Sequence, residues 1–391
     1  MSREYNSWFD QPLSGQYYNS THEEWRSTLR RFIDTEVAPF INDWEESGTF
    51  PRELYKKAAK VGFQRKGYPP QYGGIGSLDI FFNIIDAAEF ARLGAGGLGA
   101  SLCSAGISLP PIAAVGSEEL KQRVIPPVLD GEKIAALAIT EPSGGSDVAN
   151  LRTTARREGD HYVVNGSKIF ITSGMRADYY TVAVRTGGEG KNGISLLLIE
   201  KDTAGFSQTL LHKMGWWSSD TAALYFDDCR VPCENLIGAE NAGFAPLMLN
   251  FNGERLGIAA SAIFHAQVCL DDAVAWAKER KTFGKHLIDH QVIRHKFVQM
   301  AQKIVASRAL LEQLSWRVEQ GESPIAELCM LKVQATETMG FCAQEAVQVL
   351  GGNGFMRGNK VERIYREVRV NAIGGGSEEI MRDLAARQMG L

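Results

Sequence analysis

Between residues 244 and 270 the chain is almost wholly apolar or small, and its only formally charged side chains are the neighbours Glu254 and Arg255. Burial desolvates a carboxylate and raises its pKa, which moves it toward the range where it can accept a proton near neutral pH. A structural ion pair, or a helix end facing water, explains the same two charges without chemistry. A second group of residues has the makings of a seat for a flat, phosphate-bearing ligand. Glu141-Pro142-Ser143-Gly144-Gly145-Ser146-Asp147 allows unusual backbone angles and free amide donors, so such a loop can press its main chain against a ligand. A third combination, Arg280-Lys281-Thr282-Phe283-Gly284, offers a fixed cation able to pair with a diphosphate, a hydroxyl and an aromatic ring. A cationic cap on a helix end is the bland alternative.

These groups need elements to hold them. Residues 136–140 read as a short buried strand that the 141–147 loop interrupts. Asn165-Gly166, between Tyr162-Val163-Val164 and Lys168-Ile169-Phe170-Ile171-Thr172, predicts a two-residue hairpin turn with positive φ at both central residues. Phe170 and Thr172 then project from one side of a strand, where they can stack on and hydrogen-bond to one edge of a heteroaromatic ring. Upstream, Ser20-Thr21-His22-Glu23 is a capping-box pattern, and helices are expected at about 51–60, 77–92 and 117–129. From 134 to 233 the pattern becomes short alternating runs, predicting an antiparallel β domain. Long helices follow at about 244–280, 289–320 and 324–350, with a shorter one from Ser377. Val292, Ile293, Phe297, Met300, Ile304 and Val305 form one apolar stripe suited to a bundle.

A chain of 391 residues suits two or three domains. Its formal net charge of −4 and pI near 6.0 give no electrostatic reason to expect nucleic acid. Arg357, Lys360, Arg363, Arg366 and Arg369 recur every three residues, but Glu362 and Glu367 intervene, so an ion-paired or solvated face is expected. The six cysteines lack CxxC spacing, so neither a metal site nor a disulfide framework is suggested. Residues 1–15 carry acids and no apolar leader core, and no apolar run looks long enough to span a bilayer. No membrane insertion is expected, and an intracellular location is. No strand-associated G-x-G-x-x-G argues for a nicotinamide enzyme.

The loop from Thr140 to Asp147 with the following Phe-Ile-Thr strand closely resembles the flavin-holding middle domain of the acyl-CoA dehydrogenases. The resemblance extends over nearly the whole chain. It implies an N-terminal α-helical domain at 1–133, a middle antiparallel β domain at 134–235 and a C-terminal four-helix bundle at 236–391. It also implies FAD as cofactor, contacted by Ile139, Thr140, Ser146, Phe170, Thr172, Arg280, Thr282, Phe283, Gln348, Gly351, Gly352, Ser377 and Glu379. The segments around Arg280 and Gln348 serve a neighbouring subunit in that family, so a homotetramer follows.

Some members with Glu-Arg-Leu at this helix, as in Glu254-Arg255-Leu256, use that glutamate to remove the substrate's α-proton, as isovaleryl-CoA and long-chain acyl-CoA dehydrogenases do. In the larger branch the base comes from a Tyr-Glu-Gly-Thr motif whose counterpart here is Gly374-Gly375-Gly376-Ser377, so its glutamate position is Gly375. Glu254 is therefore the expected base, with Glu378 and Glu379 the weaker alternative. Ser146, Arg255 and Gly375 are expected at the acyl-CoA substrate, Arg255 tuning the site, with a backbone amide near Gly375 and a flavin ribityl hydroxyl donating to the thioester carbonyl. The reaction implied is α,β-dehydrogenation of an acyl-CoA, with an electron-transfer flavoprotein as acceptor, in the cytoplasm of a bacterium or the mitochondrial matrix. The small residues of 94–106 suggest room for a long or branched acyl chain. The rivals are an acyl-CoA oxidase or flavin monooxygenase of the same fold, told apart by oxygen access, and a non-catalytic helical scaffold, which would be colourless.

Overall fold

In the computed structural model, which describes residues 5–13 and 15–391 with side chains other than those of 249–252, the chain runs helices, then sheet, then helices. The reading of residues 1–15 as leader-free falls partly on 1–4 and 14, which lie outside the described residues. The first helices are α1 (Ser20–Glu36), α2 (Ile41–Ser47), α3 (Glu53–Lys60), α4 (Phe81–Ala91), α5 (Gly96–Leu102), α6 (Ala105–Ser108), α7 (Pro110–Val115) and α8 (Glu118–Leu129). The strands follow as β1 (Ala135–Ala138), β2 (Thr154–Glu158), β3 (His161–Thr172), β4 (Tyr179–Arg185), β5 (Ile194–Glu200), β6 (Phe206–Leu210), β7 (Thr221–Pro232) and β8 (Leu236–Ile237). Then come α9 (Phe244–Glu279), the short strands β9 (Lys281–Thr282) and β10 (Lys285–His286), α10 (Gln291–Glu319), α11 (Ile325–Leu350), α12 (Lys360–Ile373) and α13 (Glu378–Met389). Two compact units result, one from residues 1–42, 79–96 and 252–391, the other from 43–78 and 97–251.

In the first unit, the cap of α1 falls one residue before the expected one. Asn19 Oδ1 accepts from the Thr21 and His22 amides while His22 Nδ1 accepts from the Asn19 amide, so the capping box is Asn19/His22. The core centres on α9, where Ala259, Ala260, Ala262, Ile263, Phe264 and Ala266 are all buried. By length and composition α9 could cross a membrane, contrary to the expectation that no run would suffice; from Leu256 to Ala277 most of its apolar side chains are instead buried in this core. On α10, Phe297, Met300 and Ile304 are buried, whereas Val292 and Val305 of the expected stripe face outward. The basic periodicity near the carboxyl end belongs to α12, a helix the charges had concealed. Val361, Ile364 and Val368 bury one face of it. Arg366 pairs with Glu362 as expected of an ion-paired face, but Arg363 is buried and bonds Asn42 Oδ1 at 2.7 Å.

In the second unit the sheet order is β6-β7-β3-β2-β4-β5-β8, with β1 added beside β4. The sheet expected to be antiparallel has two parallel pairings: β1 runs parallel to β4 from Ala135↔Tyr179 to Ala138↔Val182, and β2 meets β4 in parallel at Thr154↔Arg185. Leu109, Ile112, Val124, Ile125 and Leu129 pack with Ala135, Ala183, Leu196 and Leu198, so helices of the first third cover this part of the sheet.

Asn165-Gly166 is not a hairpin turn. His161–Thr172 is one continuous strand, and the turn lies at Gly159-Asp160, where Gly159 has φ +63°. Asn165 instead exchanges hydrogen bonds of 2.9 Å with Asp228, its Nδ2 donating to Oδ1 and its Oδ1 accepting from the Asp228 amide. Gly166, at φ +142°, sits at a register shift against β7 where a Cβ would fall 2.7 Å from Thr153. The dipeptide thus serves a β-bulge, because pairing with two neighbouring strands outweighs local turn preference.

The small-residue segment is close-packed at two of its glycines, while a Cβ on Gly106 would meet nothing within 4 Å. A Cβ on Gly94 would meet Lys360 Cβ at 2.7 Å, and one on Gly97 would meet Trp216 Cα at 2.8 Å. Those two glycines permit close approach of neighbouring chain segments.

Candidate active site

Glu254 and Arg255 lie in the early part of α9, both half-buried. Burial raises the Glu254 pKa above the ordinary carboxylate value, while the Arg255 and Lys332 cations oppose that rise. The Gly374-Gly375-Gly376 loop that ends α12 comes up against α9 at this point. Gly375 has φ +65°, and a Cβ there would fall 2.5 Å from Ile258 Cδ1 and 4.0 Å from Glu254 Oε1. A carboxylate on α9 thus stands beside position 375, which carries no side chain.

The alternative acids are differently placed. Glu378 Oε1 accepts from Thr336 Oγ1 at 3.0 Å, and Glu379 is exposed. Backbone and Ser377 hydrogen bonds at the start of α13 lower the Glu379 pKa, the opposite of what a general base near neutrality requires. Ser377 caps α13, its Oγ accepting from the Ile380 amide at 3.4 Å.

Within the same unit, Arg280 follows α9 and leads into a tight hairpin. Thr282 pairs with Lys285, and the two turn residues Phe283 and Gly284 have φ +51° and +80°. Phe283 stands 97 % exposed, while Thr282 Oγ1 is held by His290 Nε2 at 3.1 Å. Gln348, Gly351 and Gly352 are exposed at the end of α11, and a Cβ on either glycine would meet nothing within 4 Å, leaving an open backbone shelf. Phe355, just beyond, is 79 % exposed.

The second unit carries the other expected ligand contacts. Thr140 O accepts from the Ile169 amide at 2.8 Å, which sets the 141–147 loop beside the part of β3 that presents Phe170. A second register shift, between Lys168 and Ile171, puts Phe170 at φ +62°. The ring is 67 % exposed, and Thr172 is half-exposed with buried Ile171 between them. Their common outward side thus comes from a bulge that turns Phe170 out, and plain strand alternation is not its source. Ser146 is exposed on the loop.

Sequence reasoning missed what fixes this arrangement. Lys168 and Glu141 form a buried ion pair at 2.8 Å. Lys168 Nζ also donates to Ile139 O at 3.0 Å, and Glu141 accepts from the Arg152 and Thr153 amides at 2.6 and 2.8 Å. Burial alone would raise the Glu141 pKa, but the Lys168 ammonium and these donors outweigh it and lower it to about 2. Burial lowers Lys168 to about 8, an effect Glu141 offsets only in part, so both partners are ionised at neutral pH. One legible signal was a lysine directly before the apolar run Ile169-Phe170-Ile171.

Family models for the N-terminal, middle and C-terminal domains of acyl-CoA dehydrogenase match residues 19–132, 136–229 and 241–390. The mitochondrial long-chain specific acyl-CoA dehydrogenase of Rattus norvegicus is 37 % identical, the match covering 95 % of this chain and 87 % of the relative. The mitochondrial isobutyryl-CoA dehydrogenase of Bos taurus is 35 % identical over 94 % of this chain and 88 % of its own. Among solved structures, a probable acyl-CoA dehydrogenase from Mycobacterium abscessus superposes with a TM-score of 0.94 at 45 % identity, covering 96 % of this chain and all of that one (100 %).

Proposed function

The chain belongs to the acyl-CoA dehydrogenase family, and within it we propose that Glu254 is the base that removes the α-proton. The activity is FAD-dependent α,β-dehydrogenation of an acyl-CoA thioester. The observation that carries the assignment of the base is the meeting of Glu254 with Gly375: the carboxylate stands 4.0 Å from where a side chain at 375 would begin, and burial lifts its pKa toward neutrality.

FAD, when bound, supplies the acceptor for the β-hydride. Within one unit, exposed Phe170, half-exposed Thr172, the Ile139–Thr140 backbone and Ser146 suit its ring; Ser377 and Glu379, and, from a neighbouring copy, Arg280, Thr282, Phe283, Gln348, Gly351 and Gly352, are the further proposed contacts. Arg280 is a fixed donor for a diphosphate, and the open Gly351-Gly352 shelf lets phosphate oxygens approach the backbone. The Arg255 guanidinium restrains the rise of the Glu254 pKa. The Gly375 loop contributes an amide to the thioester carbonyl, where negative charge builds as the α-proton leaves.

The nearly bare Phe283 and Phe355 rings support assembly with further copies of this chain into a homotetramer. An electron-transfer flavoprotein is the proposed electron acceptor, in a bacterial cytoplasm or a mitochondrial matrix. A long or branched acyl group remains the proposed substrate, on the strength of Glu254 in the Glu-Arg-Leu helix. Mixing the flavin-loaded protein anaerobically with straight and branched acyl-CoAs tests this: bleaching of the flavin by long or branched chains supports it, and bleaching by short straight chains only contradicts the acyl preference.

A further inference from the structure

Lys332 is fully buried on α11 beside Leu328, Leu331 and Val333. A buried ammonium is costly unless its protons find acceptors. Two acceptors are main-chain carbonyls, Ala372 O and Gly376 O, each at 2.8 Å. The first lies in the last turn of α12 and the second at the far end of the glycine loop, so one side chain spans the loop from end to end. Gly375 and Gly376 have φ +65° and +106° within that span. Because a trans peptide is planar, fixing the Gly376 carbonyl also fixes the Gly376–Ser377 amide plane.

A neutral donor would suffice to hold two carbonyls, but Lys332 adds a charge. The ionisable groups facing it are Glu254 and Arg255 from α9 and Glu378 and Glu379 from α13. Glu378 is also engaged by Thr336. Burial draws the Lys332 pKa down to about 8, with Glu378 the strongest opposing influence, which leaves it protonated at neutral pH.

We propose that Lys332 is a positioning residue of the proton-abstraction site: it pins the Gly374–Gly376 loop against α9 and favours the ionised, proton-accepting form of Glu254. This rests on the reading of Glu254 as the base. Sited on a separate helix, Lys332 acts through Glu254 and the loop and touches no reacting atom.

The test is the ionisation of Glu254 in flavin-loaded Lys332→Met, followed without substrate by the infrared carboxyl band that Glu254→Gln removes. Its pH midpoint rises by about one unit, as loss of a nearby cation requires. The midpoint for flavin reduction by acyl-CoA rises with it, and at pH values below the parent midpoint the rate falls about tenfold. Lys332→Arg, which keeps the charge, returns both midpoints to the original value. Should Lys332→Met not hold flavin, Lys332→Gln removes the charge while keeping a donor, and carries the same readout. A neutral variant with the original carboxyl midpoint overturns the proposal. Failure of the base assignment is separately visible, as undiminished flavin reduction in Glu254→Gln.

Discussion

Glu254 Oε1 and Gly375 meet across two helices of one unit: the carboxylate oxygen stands 4.0 Å from the site of a Cβ at 375, and that Cβ would collide with Ile258 Cδ1 at 2.5 Å. The glycine is thus required twice, for its positive φ and for the space Ile258 fills. Replacing Gly375 by Ala is expected to cost about 1–3 kcal/mol from strain and overpacking together. Thermal or denaturant unfolding measures the loss, and flavin reduction should slow because the loop shifts away from Glu254.

The pH dependence has a defined sign. Glu254 ionises less readily folded than unfolded, so in the window between its unfolded and folded pKa values the native state holds the extra proton. Its contribution to stability is complete below the unfolded value and is lost as pH rises through the folded one. Glu254→Gln should therefore flatten the stability profile over that window and leave the variant more stable than the parent at pH 8. Flavin reduction runs the other way, rising with pH as Glu254 ionises.

Glu141 behaves oppositely. Its pKa is lowered to about 2, so it contributes stability above its unfolded value that disappears as pH falls toward the folded one. Lys168→Met leaves Glu141 buried without its cation and should destabilise by about 3–5 kcal/mol. The same change frees Ile139 O and loosens the loop beside Phe170, so flavin retention on a desalting column should drop. Unchanged unfolding and retention would argue against this support role.

Arg280 and Phe283 give a prediction with separable readouts. Arg280→Ala should weaken flavin binding at least tenfold through loss of a charge-assisted contact. Phe283→Asp, on a ring that is 97 % exposed, should shift the mass seen by light scattering toward smaller assemblies. A monomeric parent protein would remove the basis for both roles.

Much of the helical framework was legible because local signals and tertiary packing agree. Ser117 and Ser377 cap α8 and α13 as their sequence context implied. Asn19 displaced Ser20 as cap because its side chain accepts from two amides at once. Asn165-Gly166 was misread because a turn preference is local, whereas its outcome was decided by pairing with β7, far along the chain. The same non-local mismatch turns Phe170 outward. Lys332 was invisible for a related reason: its acceptors are backbone carbonyls 40 and 44 residues away, which no side-chain motif records. Glu254, by contrast, stood out as a charge where the helix around it has almost none.

The most direct measurement is anaerobic stopped-flow mixing of flavin-loaded Glu254→Gln with an acyl-CoA that reduces the parent protein. Normal flavin absorbance with reduction slowed by about a thousandfold or more is the predicted result, as expected when a general base is removed. Reduction at the parent rate would place the base elsewhere and contradict the account.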